Sequence, residues 1–366
     1  MIVGIRSLAM GWTAVVPVIA VVLLAFTWGR GLPGGVVALV AVVLAGSVLA
    51  AVHHAEVVAH RVGEPFGSLV LAVAVTVIEV ALIVTLMADG GAKGATLARD
   101  TVFAAVMITC NGVVGLSLLV ASLRHGIAVF NAEGTGAALA TVATLATLSM
   151  VLPTFTTSRP GREFSPTQLT FAALSSLVTY LLFVATQTVR HRDYFLPITR
   201  QGEVITADDH ANPPSVRATA FSLALLGLAL VGVVGLAKGV SPTVESGVAA
   251  AGMPQDVVGV VIALLVLLPE TIAALRSARR DRVQTSLNLA LGSAMASIGL
   301  TIPAVALASM WLSGPLVLGL GSVHMVLLAL TVVLGSLTVV PGRATPLQGG
   351  VHLVVFAAYL ELAITP

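Results

Sequence analysis

Apolar runs of roughly 17 to 25 residues follow one another along almost the whole of this chain, and each is long enough to cross a hydrocarbon core of about 30 Å as a helix. Only 9% of the 366 residues are charged and the mean hydropathy is +1.05. A soluble domain carries about 25% charged residues to stay dissolved, so no soluble core accounts for so much apolar sequence. The expected fold class is an all-α polytopic membrane protein.

The runs fall at 12–28, 33–57, 66–88, 100–123, 136–152, 168–189, 216–237, 255–275, 284–311, 315–340 and 347–364, which makes about eleven transmembrane helices. Short connections carry turn residues, as at Gly29-Arg30-Gly31, Gly90-Gly91 and Pro341-Gly342. The connection at 190–215 is polar and lies near the middle of the chain. If residues 1–32 hold an extra first helix, five spans lie on either side of that loop, at 33–189 and 216–366. Arg6 ahead of an apolar stretch resembles a signal peptide, but no small-residue cleavage site follows, so an uncleaved first helix is expected.

Charge gives the orientation. With the N-terminus inside, cytoplasmic segments hold twelve arginines, among them Arg124, Arg190, Arg276, Arg279, Arg280 and Arg282. The opposite face holds Arg30, Lys93, Arg99, Arg159, Arg162 and Lys238. The bias predicts a cytoplasmic N-terminus, a cytoplasmic central loop and a periplasmic or extracellular C-terminus, in a bacterial inner membrane. A net charge of +2 points to no nucleic acid partner. The single cysteine, Cys110, excludes a disulfide framework and reads as a small packing residue.

Most acidic residues lie in loops or near span ends, but Glu79 and Glu270 sit well inside apolar runs. A charge at mid-bilayer costs about 2.5 kcal/mol or more, so such residues face cavities and mark ion or proton pathways. Glu79 is in the third run and Glu270 in the eighth. An odd separation makes the two helices antiparallel, the layout of inverted repeats that place equivalent residues near the midplane.

The following spans match in character. The fourth, TVFAAVMITCNGVVGL, sets Asn111 in apolar surroundings, with Ala104 and Gly115 on its face. The ninth, SLNLALGSAMASIGLTIP, lines up Ser286, Ala290, Ser293, Ser297 and Thr301 at spacings of three and four, beside Asn288, Gly292 and Gly299. Hydroxyls and amides replace water around a cation, although a serine stripe also serves as packing glue between helices. Ser68, Ala72 and Thr76 run towards Glu79 and suggest an access path. Pro269, directly before Glu270, lacks an N–H, so irregular helix and freed carbonyls are expected there.

The stretches GEPFGSLVLAVAVTVIEVALIVTLM and LARDTVFAAVMITCNGVVGL resemble the first alpha-repeat of the cation/calcium exchanger superfamily. LLPETIAALRSARRDRVQTSLNLALGSAMASIGLTIP resembles the second, and the likeness is greatest to the bacterial sodium-calcium/proton antiporter branch. The resemblance implies eleven spans, two inverted five-helix halves, and a cation-binding acid in each repeat. By position these are Glu79 and Glu270, with Asn111, Ser293 and Ser297 as supporting ligands. The superfamily's Gly-Asn-x-x-Glu pattern is absent, since Val75-Thr76-Val77-Ile78 precede Glu79 and Val266-Leu267-Leu268-Pro269 precede Glu270. The ligand set is thinner for it. The central loop, with Glu203, Asp208, Asp209 and His210, lacks the long acidic run of a regulatory calcium site.

A second cluster, His53, His54 and Glu56 with His60 and Glu64, ends the second span. It reads either as a proton-loading vestibule or as an interfacial polar belt. His324, inside the tenth span, reads as a packed or hydrogen-bonded residue of the bundle.

The expected function is export of Ca²⁺ in exchange for H⁺, with a Na⁺(K⁺)/H⁺ antiporter using the same carboxylates as the alternative. Two ionised glutamates leave about −2 in a low-dielectric site, and either one divalent cation or two protons neutralise them. No cofactor is expected; the partners are inorganic cations, protons and the bilayer, and the sequence specifies no oligomer. An intramembrane hydrolase needs a His-Glu-x-x-His, paired aspartates or a Gly-x-Ser-x-Gly serine with its histidine, and the sequence has none of them.

Overall fold

A computed structural model describes residues 2–30, 32–62, 66–90, 94–198, 214–254, 256–312 and 314–365. The side chains of Ser68 and Ala72, all of Glu64, Lys93 and Gly91, and the loop stretch with Arg200, Glu203, Asp208, Asp209 and His210 lie outside the described residues.

The helices follow the apolar runs. They are α1 (Ile2–Thr27), α2 (Gly34–Val62), α3 (Phe66–Gly90), α4 (Leu97–Met107) continuing through a π-turn (Ile108–Val113) into α5 (Val114–His125), α6 (Ala132–Ala146) and α7 (Pro166–Ala185). Then come α8 (Val216–Ala250), α9 (Asp256–Arg279), α10 (Val283–Ala308), α11 (Ser322–Val339) and α12 (Pro346–Ile364). Among the described residues nine helical segments are long and apolar enough to span a membrane, and α1 and α3 add the shorter apolar stretches Gly11–Thr27 and Val73–Thr85. Ser165 and Thr345 make capping boxes with Gln168 and Gln348 at the starts of α7 and α12, each followed by a proline at the first turn.

Several features differ from the sequence expectation, among them α8, which runs on to Ala250 rather than ending near 237. The apolar segment before α11 is extended rather than helical, because Pro315, Gly319 and Gly321 disfavour helix and neighbouring backbone supplies its hydrogen bonds. Val317 N–H donates to the Ala95 carbonyl, Gly319 N–H to Arg162 and Leu320 N–H to Met150. Leu318 and Leu320 are buried, so this non-helical backbone is enclosed by protein, as hydrocarbon depth demands. The helix α9 also continues through Pro269, since only one intrahelical bond, that to the Leu265 carbonyl, is lost there.

The chain packs as two compact units, each drawn from both halves of the sequence: residues Met1–Leu86 with Asp209–Val258, and Met87–Asp208 with Gly259–Pro366. In the first, α1, α2 and α8 pack on one another. A Cβ at Gly46 would stand 3.2 Å from Val16, so small residues set this spacing.

In the second unit α10 is central, packing on α4, α5, α6, α7 and the π-turn. The α4–π–α5 span is the most enclosed, with 89% of its most apolar stretch buried, against 28% for α7, α11 and α12. The helix α12 crosses α5 at backbone contact: a Cβ on Gly349 would lie 2.6 Å from Leu119 N, and one on Gly115 would lie 3.0 Å from the Gly349 carbonyl. A two-residue ladder, Ala128–Val129 with Arg343–Ala344, ties the adjoining turns.

Candidate functional site

Glu270 lies one residue past Pro269 on α9 and is 7% exposed. Its carboxylate accepts a hydrogen bond from the Ser293 hydroxyl of α10. Thr109 and Val113, from the two edges of the π-turn, line the same small pocket, with Thr271 and Ala290. Tyr180 of α7 stands within electrostatic reach of Glu270. Gly299 lets α7 come this close, since a Cβ there would meet that of Tyr180 at 2.6 Å. The lining is therefore oxygen-bearing and compact, a donor set for a hard cation or a proton.

The α10 stripe divides by partner. Ser286 donates to Ser117 of α5 at 2.7 Å, Ser293 serves Glu270, and Ser297 is 1% exposed. Asn288 donates to the Phe195 carbonyl at 2.6 Å and accepts from Gln284 at 2.8 Å, which holds the chain leaving α7. These two are structural bonds, whereas Ser293 reaches a mid-span acid.

Asn111 is fully buried and its amide is turned to α11 and α12. Its nitrogen donates to Thr331 at 2.8 Å, and its oxygen lies 3.1 Å from Nδ1 of His352. Thr109, whose hydroxyl donates to the Ala105 carbonyl at 2.7 Å, borders the Glu270 pocket, while Asn111 of the same π-turn reaches His352. Extra residues accommodated in a π-turn are often associated with functional sites.

In the other unit, Glu79 of α3 is 3% exposed and Thr76, one turn before it, is 4% exposed. Both face protein rather than lipid. His54 of α2 is buried, and its Nε2 lies 3.0 Å from the Thr13 carbonyl of α1. That carbonyl would normally bond the N–H four residues on, but position 17 is proline, so the imidazole supplies the missing donor. His53 packs edge-on against His54 with centroids 5.4 Å apart, while Glu56 is exposed. His324 packs on Phe103 at 4.8 Å, within reach of Tyr359. Arg99, expected on an outer loop, is instead buried in the first turn of α4, paired with Asp100 at 2.6 Å and donating to the Gly319 carbonyl.

Thr109, Tyr180 and His352 were not singled out by sequence reasoning. Only Thr109 left a signal, as the hydroxyl two residues before Asn111. Tyr180 and His352 sit on spans with no mid-helix acid to draw attention to them.

Comparison with known proteins bears on this arrangement. The pattern of the family described as Sodium/calcium exchanger protein matches residues 32–189 and 221–365. A protein of Sinorhizobium fredii named as an ionic transporter, y4hA, is 46% identical over 362 residues, covering 97% of this chain and 96% of that one. The sodium-potassium/proton antiporter ChaA of Escherichia coli is 35% identical over 349 residues, covering 94% and 93%. The solved structures of native YfkE and of the H⁺/Ca²⁺ exchanger CAX each superpose with a TM-score of 0.72, at 17% and 14% identity. They cover 98% and 95% of this chain, and 99% and 86% of their own, and at such identity they speak for the fold. With membrane-spanning helices throughout, a buried acid in each of two spans and a family match over most of its length, the chain belongs to the sodium/calcium exchanger family.

Proposed function

We propose that this protein is a secondary antiporter that exports a cation in exchange for protons by alternating access, with cation and protons competing for Glu79 and Glu270. The observation that carries the reading is Glu270 itself, a buried acid in mid-helix served by the Ser293 hydroxyl beside Thr109. An ionised carboxylate at that depth is costly, and either a cation or a proton removes the charge. Competition for the same oxygens then couples the two fluxes, because a carrier with neither bound keeps its charge and does not cross between states. Ser297 supports the cation as a ligand, and Asn111, its amide held by Thr331 and His352, supports it through the π-turn. Thr76, one turn before Glu79, lines the approach to it, and His53, His54 and Glu56 lie at the cytoplasmic end of the proton path.

Ca²⁺ is the first cation we assign, since the polar side chains around Glu270, those of Thr109, Thr271 and Ser293, all offer oxygen and suit a hard divalent ion. A specific observation favours a second reading, exchange of Na⁺ or K⁺ for H⁺: the 35% identical relative is named for those ions. The missing asparagine ahead of each glutamate agrees with it. The same reading has an extra first helix (1–32), two inverted five-helix repeats (33–189 and 216–366) and a cytoplasmic loop (190–215). It places the chain in the bacterial inner membrane with the N-terminus cytoplasmic, as a carrier without cofactor or enzymatic activity.

The test is proton movement in proteoliposomes holding a pH gradient, challenged in turn with Ca²⁺, Na⁺ and K⁺. Dissipation by Ca²⁺ that is lost in both Glu79→Gln and Glu270→Gln is the expected result. Response to Na⁺ or K⁺ alone moves the assignment to the second reading, and transport at wild-type rates by either variant overturns the role of its glutamate.

A further inference from the structure

Four side chains from three helices form one continuous buried chain on the side of the π-turn away from Glu270. Thr331 Oγ1 donates to the Leu327 carbonyl at 2.8 Å and so accepts from the Asn111 amide nitrogen. The amide oxygen is left for His352, which makes Nδ1 the protonated ring nitrogen. Nε2 is then the acceptor and meets the Thr338 hydroxyl at 3.2 Å. All four residues are 3% exposed or less, Met107 Sδ also lies 3.8 Å from the amide nitrogen and 3.7 Å from the Thr331 hydroxyl, and a ring that donates at Nδ1 and accepts at Nε2 is neutral.

Gly115 makes the reach of His352 feasible, since a Cβ there would stand 3.0 Å from the His352 Cβ. The π-turn residues Ile108–Val113 are all buried, and two of them, Thr109 and Val113, border the Glu270 pocket. A wide turn makes poorer backbone bonds than the α-helix it interrupts and needs support from its surroundings. His352 and Thr331 supply that support through one amide.

We propose that His352 is a positioning residue for exchange at Glu270: by holding the Asn111 amide it fixes the π-turn whose Thr109 and Val113 border the carboxylate's pocket. The inference rests on the antiporter reading above. Losing an outer hydrogen-bond partner of a cation site lowers affinity, whereas general damage to the fold lowers turnover and yield.

The experiment measures cation-driven proton movement against cation concentration in proteoliposomes, for wild type, His352→Leu, His352→Asn and Thr331→Val. Asparagine keeps an N–H where Nδ1 stood; leucine does not. The substituted side chains are close to or below the volume of those they replace, so the variants report on the lost bond rather than on overpacking. His352→Leu is expected to raise the half-saturating cation concentration on the order of tenfold with turnover within about twofold of wild type. His352→Asn is expected to restore it, and Thr331→Val, which releases the amide from its other side, to reproduce the leucine effect. Should His352→Leu fail to fold in detergent, Thr331→Val decides alone. An active wild type with unmoved half-saturation in the variants overturns this inference, as does an equal rise in the leucine and asparagine variants. A wild type with no cation-driven proton movement overturns the antiporter reading instead.

Discussion

Ser286 and Ser117 join hydroxyls at 2.7 Å between α10 and α5, two helical turns from where Ser293 on the same α10 stripe donates to Glu270. Hydroxyls of one stripe therefore do different jobs. Ser286→Ala should cost about 1 kcal/mol of stability through the unsatisfied Ser117 and leave cation affinity unchanged. Ser293→Ala should raise the half-saturating cation concentration on the order of tenfold. Melting curves and concentration-dependent flux, taken on both variants, separate the two, and equal effects on affinity would count against the division.

Competition for carboxylates fixes a sign for pH dependence. Protons occupy the oxygens as pH falls, so half-saturation for the cation should rise on acidification and not on alkalinisation. One competing proton gives a limit of about one decade per pH unit and two give about two. Half-saturation measured at several pH values, equal on both sides of the membrane, checks it; a flat profile contradicts competition.

His54 stands in for the donor that Pro17 cannot provide to the Thr13 carbonyl. His54→Leu should cost about 1 to 3 kcal/mol, the price of a buried carbonyl left bare. Adding Pro17→Ala restores an N–H at position 17, so the double variant should recover much of that loss. A double-mutant cycle by thermal unfolding measures the coupling, and strictly additive effects would show that the ring and the proline act independently.

Adjacent glycines on α12 make a sharp contrast. A Cβ at Gly349 would lie 2.6 Å from the backbone of Leu119, while at Gly350 nothing stands within 4 Å. Gly349→Ala should destabilise by about 1 to 3 kcal/mol, and Gly350→Ala should be neutral or slightly stabilising. Paired melting curves test this, and similar values for both would mean that α12 moves off α5 without cost.

Arg99 and Asp100 form a buried pair beside the Gly319 carbonyl. Arg99→Met strands a buried carboxylate and should cost about 3 to 5 kcal/mol, whereas Arg99→Met with Asp100→Leu should lose far less. Yield and melting temperature of the single and double variants decide it.

Much of this was legible from residue spacing alone. The runs gave the helices because length and apolarity leave a membrane span few alternatives, and Glu79 and Glu270 stood out because acids in such runs are expensive. Ser293 could be placed near Glu270 by repeat logic. The rest depends on information that single-span patterns do not carry. The extended segment at Val317 reads as apolar, and only its distant partners Ala95, Arg162 and Met150 explain why it is not a helix. Arg99 reads as a loop charge until Asp100 and Gly319 enclose it. Nothing in the fourth span alone announces a π-turn, because its sequence has normal helical composition; the widening shows only where Thr109 and Asn111 meet neighbours on different helices.

The wide turn at Ile108–Val113 absorbs one residue more than a regular helix would hold over the same arc. The turns on either side therefore keep their faces, so that Ser117 meets Ser286 and Gly115 lies against Gly349. A residue inserted after the turn, ahead of Gly115, would instead rotate all that follows by about 100° and part both contacts. The span has slack at one place along its length, and that place is the turn beside Glu270.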